Sequence, residues 1–209
     1  MRRVLLPTCL LLAACGPKYG RRVPDDLVKK LPYEIRIELL EAENNLAVAI
    51  DKVDEAQNEI LRTRDALRRA KDRRSAAKDE VSSASDAPSR DVAELAVEEA
   101  NLRVDYLRAR QKVNQANEDL VRLALRCAFA EFEMARLQAA RKAKVEGSER
   151  LAPEDFDNQV KRCKEEVTAD RQDMKEQEAE AATAKTEWEK TKTALAKKTF
   201  DARASPFVE

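Results

Sequence analysis

The side chains able to do chemistry in this chain are few in kind. There is no histidine, so the usual general base and metal ligand is missing. Nucleophilic capacity rests on four cysteines, Cys9, Cys15, Cys127 and Cys163. Cys127 and Cys163 fall on expected core positions, where a reactive thiolate is disfavoured. Carboxylates three or four apart abound, but 40 acidic residues in long helices produce such pairs by chance, and the pattern implies no pocket that would tune them. Beyond the amino-terminal stretch only Gly147 remains, so no glycine-rich turn can cradle a phosphate. The expectation is a protein without catalytic residues, metal ligands or a small-molecule substrate, and not an enzyme.

Cys15 differs from the other three in its surroundings. Met1-Arg2-Arg3 supplies positive charge, Val4 to Leu12 an apolar run, and Ala13-Ala14 the small residues before Cys15. A run of that length cannot span a bilayer as a helix, which takes ~20 apolar residues. Leu12-Ala13-Ala14-Cys15 resembles the lipobox of bacterial lipoprotein precursors, a resemblance confined to about the first 15 residues. It implies a signal peptide over residues 1–14, cleavage between Ala14 and Cys15, and acylation of Cys15, the covalent lipid taking the place of any cofactor. Acyl chains at ~0.8 kcal/mol per buried CH₂ would hold the protein on a membrane. Gly16, rather than aspartate, follows the cysteine, and in enterobacterial lipoproteins this goes with sorting to the outer membrane. The expected address is therefore the cell envelope, at the outer membrane and facing the periplasm.

The rest of the chain reads as helix. Charged residues make up 38% of it, glycine is nearly absent, and Ala, Glu, Lys, Arg and Leu dominate, the mix of long helices and coiled coils. Residues 15–32 hold two of the three glycines and three of the seven prolines, and read as the acylated terminus and a flexible tether. Extended, such a tether would reach up to about 55 Å. Its Lys18, Arg21, Arg22, Lys29 and Lys30 read first as solvated linker charge, with anionic head groups as the other reading.

Three heptad seams then follow, within helices at about 33–81, 89–146 and 154–203, before a tail at 204–209. The first seam includes Leu39, Leu46, Val53, Ile60 and Leu67, with Ala between them; the second Glu99, Tyr106, Leu120, Leu123, Cys127 and Leu137; the third Phe156, Cys163, Trp188 and Leu195. The third is the weakest, because Asp170, Gln177 and Lys198 fall on core positions, so its helix is expected to fray, pack on one side or meet a partner. Short connections make neighbouring helices antiparallel, and the predicted fold is all-α, an elongated antiparallel three-helix coiled-coil bundle. If the second turn is bracketed by Gly147 and Pro153, Cys127 and Cys163 are staggered by roughly 15 Å, too far for a disulfide. That favours buried, reduced thiols.

Two surface features bear on partners. Residues 120–137 are apolar nearly all round, with Val121, Leu125, Phe129 and Phe132 outside the main seam. A middle helix touching two neighbours accounts for this, and a docking patch for another envelope protein is the functional alternative. The basic run Arg68 to Arg74 reads as a solvated helix face, since Asp65, Asp72, Asp79 and Glu80 dilute it. Trp188 reads as core. The sequence as a whole points to a membrane-anchored spacer or scaffold with an envelope protein partner or self-association, and no nucleic acid. An adaptor subunit of a trans-envelope secretion, efflux or motility complex, or a holdase-like periplasmic chaperone, are the other classes it allows.

Overall fold

A computed structural model describes residues 20–199. Two short helices, α1 (Asp25–Lys29) and α2 (Tyr33–Ile37), precede three long ones, α3 (Leu40–Ser83), α4 (Ala87–Lys142) and α5 (Pro153–Thr199). The described residues are all-α, and none of their helices is long and apolar enough to cross a membrane. At 44, 56 and 47 residues the long helices extend about 66, 84 and 70 Å.

The long helices pack as two antiparallel pairs that share α4. Thr63 of α3 meets Asn114, while Leu67 and Ala70, further along α3, meet Ala100 and Val104, earlier in α4. On the other side Cys163 meets Cys127 and the later Trp188 meets the earlier Glu99. The outer helices α3 and α5 form no continuous interface with each other. This explains why α4 carries an apolar face wide enough for two neighbours, and why α5, with Asp170 exposed, packs on one side only.

Local chemistry sets the ends. Asp86 caps α4, its carboxylate accepting from the Ser89 amide at 2.7 Å, with Pro88 in the first turn where its missing donor costs nothing. The Ser89 bonds hold the Asp86 carboxyl below its usual range. At the other end α4 stops in a Schellman arrangement: Lys144 is left-handed (φ 54°), and the Val145 amide reaches back to the Ala140 carbonyl at 2.9 Å. The sequence placed the helix stop at Gly147. That glycine, at φ 93°, instead opens the short 3-10 turn Ser148–Arg150.

Two expectations are overturned here. Residues 21–31, assigned to a tether, are folded onto the body: Val23, Leu27 and Leu31 are buried with Leu39, Leu137, Ala140, Val145 and Phe156 in one apolar cluster. Val23, Leu27 and Leu31 are spaced by four, and between them Pro24 followed by Asp25-Asp26, with Lys29-Lys30 at the other end, is the signature of a short helix. The second correction is a disulfide between Cys127 and Cys163, whose Cα atoms are 5.5 Å apart. The expected stagger assumed a symmetric turn between Gly147 and Pro153. The connection instead begins after Lys142 and doubles back, the Leu151 carbonyl accepting from Arg141 Nη2 at 2.8 Å and Phe156 packing with Leu137. Because α5 starts below the end of α4, the two sulfurs come level. The first helix, expected to be continuous from residue 33, also turns at Glu38–Leu39 before α3.

Candidate anchoring and docking site

The most densely bonded part of the molecule is where the amino-terminal segment meets α4 and α5. Glu133 and Arg136 lie three apart on α4, buried, with a 2.8 Å ion pair between them. Glu133 Oε2 accepts from the Val23 amide at 2.7 Å, and Arg136 Nη2 donates to Asp25. The Arg136 hydrogen bond, and then its charge, hold the Asp25 carboxyl below the usual range. Arg21 adds a backbone bond to Gln159 at 3.0 Å and a 2.9 Å ion pair to Asp155 on α5. Next along the chain Glu38 pairs with Lys142 at 2.8 Å. These bonds fix the chain from Arg21 to Leu39 on the end of the body where α4 finishes and α5 begins.

The buried pair has a clear energetic role. Taking two charges out of water is costly, so they persist only when their remaining donors and acceptors are satisfied, and removing one partner is strongly destabilising. The partners here come from the amino-terminal segment, so the pair ties its docking to the α4 surface.

Of the residues singled out for docking, Phe129 and Phe132 lie at this junction, and Val121 and Leu125 lie earlier on α4. Val121, Leu125 and Phe132 are half-buried, whereas Phe129 is 40% exposed. Arg22 sits over the Phe129 ring at 5.9 Å and Arg136 over Phe132 at 5.5 Å, so Phe129 and Phe132 do not form one open apolar patch. Ala14, Cys15 and the signal segment lie outside the described residues, as does the tail from 204.

Elsewhere buried polar groups set the register of the two helix pairs. Asn114 donates to Thr63 Oγ1 at 2.7 Å between α3 and α4, and Trp188 donates its indole N–H to Glu99 at 2.6 Å between α5 and α4. Trp188 is core, stacked on Tyr106 at 5.6 Å with Arg103 and Lys192 against its faces. Glu133 and Arg136 escaped the sequence reading, because Arg122, Arg126 and Glu131 lie in the same stretch and nothing local marks which charges are buried. Between α3 and α5 an open furrow of about 500 Å³ runs over α4, with Glu59, Arg110, Glu178 and Lys185 on its walls. Glu59 and Arg110 pair across it at 3.2 Å. No protein-family profile, curated protein or solved structure matches this chain.

Proposed function

We propose that this protein is a non-enzymatic lipoprotein of the cell envelope, held on the outer membrane by acyl chains on Cys15, whose elongated antiparallel three-helix coiled-coil body serves as a periplasmic spacer or scaffold. The observation that carries the reading is the Cys127–Cys163 disulfide. Disulfides persist in oxidising compartments and are rare in the cytosol, so the body's own cysteine chemistry agrees with the export signal read independently from residues 1–15. The geometry adds an orientation. Because the chain is fixed from Arg21 onward, residues 15–20 give at most about 20 Å of slack, not the ~55 Å of a free tether. The anchored end is then the end carrying α1, α2 and the α4–α5 connection, and the α3–α4 turn at 84–86 projects on the order of 80 Å away from it.

Replacing Cys15 with alanine should move the protein from the membrane fraction to the soluble envelope fraction. Unchanged membrane association in that variant would reject the anchor. The furrow between α3 and α5, which leaves part of α4 uncovered, favours the adaptor as the second reading. In vivo cross-linking from furrow positions to a single stoichiometric protein would establish it over the plain spacer.

A further inference from the structure

Of the seven large apolar side chains exposed among the described residues, Val48, Ile50, Leu61 and Phe129 are scattered, as is ordinary for a folded protein. The other three are grouped. Tyr33, Ile37 and Leu40 are 69%, 46% and 56% exposed, and their spacing of four and three places them on one helical face. Glu38 and Leu39 between them keep right-handed helical dihedrals, so the face continues through the turn joining α2 to α3. This face lies at the end of the body where Glu38 meets Lys142, the last residue of α4. Arg21, six positions after Cys15, is fixed to Asp155 and Gln159 at that same end.

We infer that Tyr33, Ile37 and Leu40 form a second membrane contact, inserting into the interfacial layer of the bilayer that holds the anchor; this rests on the acylation of Cys15 proposed above. Three features select lipid over protein as the occupant. Few residues separate Cys15 from Arg21: residues 15–20 can span at most about 20 Å, so an acylated Cys15 keeps this face close to a lipid surface. Such a tether makes the second contact intramolecular, at an effective concentration in the millimolar range, where a small apolar contact suffices. The face itself is small. One tyrosine and two aliphatic side chains cover about 400 Å², well short of the ~800 Å² per partner of a stable protein interface. A tyrosine, with an apolar ring and a polar tip, suits the depth at which head groups give way to chains. Lys29, Lys30 and Arg36 flank the face, but so do Glu34 and Glu41. The contact is therefore apolar in character and insensitive to salt.

The test uses the full-length acylated protein in phosphatidylethanolamine–phosphatidylglycerol vesicles, with an environment-sensitive dye on Ile37→Cys or, at the far turn, on Ser85→Cys. Lipids brominated high on the chain should quench the dye at 37 at least fivefold more than at 85, with little change between 0.05 and 0.5 M salt. Adding Tyr33→Ser and Leu40→Ser, exposed changes that leave the core intact, should remove that difference. Equal quenching at 37 and 85 on vesicle-bound protein overturns the contact and leaves the anchor standing. Shielding of the dye at 37 without vesicles, growing with protein concentration, overturns it in favour of a second copy. Protein that lacks acyl groups and does not bind vesicles overturns both the anchor and the contact.

Discussion

The two ends of the helical body are held by different means. Where α4 gives way to α5, large side chains converge: Val23, Leu27, Leu31, Leu39, Leu137 and Phe156 are buried together beside the Glu133–Arg136 pair, with the disulfide in the same half of the molecule. At the α3–α4 turn the buried residues are mostly alanines, Ala77, Ala93 and Ala96, with Leu195 from α5. There the Asp86 cap and a long-range Lys198–Asp91 pair at 3.5 Å do the holding, beside an open cavity of about 490 Å³. Small residues bury little area per position, so the α3–α4 turn gains less from the hydrophobic effect than the end where α4 meets α5. Local opening starts where such contacts are few, so the α3–α4 turn should exchange its amides first and the α4–α5 end last.

Removing the Arg136 side chain is the most severe way to break this difference. Arg136→Ala leaves Glu133 buried with the Val23 amide as its remaining partner and takes away the bond to Asp25. The expected cost is about 3–5 kcal/mol, read as a lower urea midpoint together with loss of amide protection over residues 21–31. A midpoint within experimental error of wild type would show that the buried pair does not hold this end. Opening the disulfide comes next. It closes a loop between residues 36 apart, and the chain-entropy account assigns such a loop about 3–4 kcal/mol. A reductant should lower the denaturation midpoint accordingly, and Cys127 and Cys163 should react with thiol reagents only after reduction, even in the unfolded chain. Reaction at Cys127 and Cys163 without a reductant would refute the bridge.

At the far end the expected effect is smaller. Asp86→Ala should lower the urea midpoint only slightly and speed amide exchange around residues 84–90 while leaving residues 21–31 protected. Protection lost equally at both ends would mean that the two ends open as one unit. The smallest effect is one of pH. The Asp25 carboxyl is held low by Arg136, so its contribution is present above the carboxyl's ordinary pKa and is lost as pH falls through the lower folded value. Asp25 is largely exposed, so solvent screens the effect. Acidification below about pH 4 should therefore loosen residues 21–31 slightly, visible as faster proteolysis there, and Asp25→Asn should abolish the difference between acidic and neutral pH.

Much of the fold was legible in the residues themselves. The three-four spacing of Val53, Ala56, Ile60, Thr63, Leu67 and Ala70 matched a buried stripe, and Glu99, Cys127, Cys163 and Trp188 all fell on core positions and are buried. Exposed ion pairs follow the same short helical spacings, Glu118 with Arg122 at 2.6 Å and Asp65 with Arg68 at 3.6 Å. The errors cluster where the chain changes direction. Counting residues on either side of a turn gives the stagger of two helices only if the connection is symmetric, and this one doubles back along α4. Composition misleads at residues 21–31 as well, because the prolines and charges that suggest a tether sit among Val23, Leu27 and Leu31, whose spacing by four buries all three.

The sequence by itself determined that the described residues are helical, where α3 gives way to α4, and which stripes are apolar, because those properties depend on neighbours within a few residues. It also carries the resemblance of Leu12-Ala13-Ala14-Cys15 to a lipobox, on which the proposed anchor rests. Only the tertiary structure decided that α3 and α5 share α4 without joining each other, that Cys127 and Cys163 are level, and that the amino-terminal segment is docked on Glu133 and Arg136. Each of these depends on groups far apart in the chain. Helical periodicity says which face of a helix is apolar, but not which of several apolar faces it will meet, nor at what height.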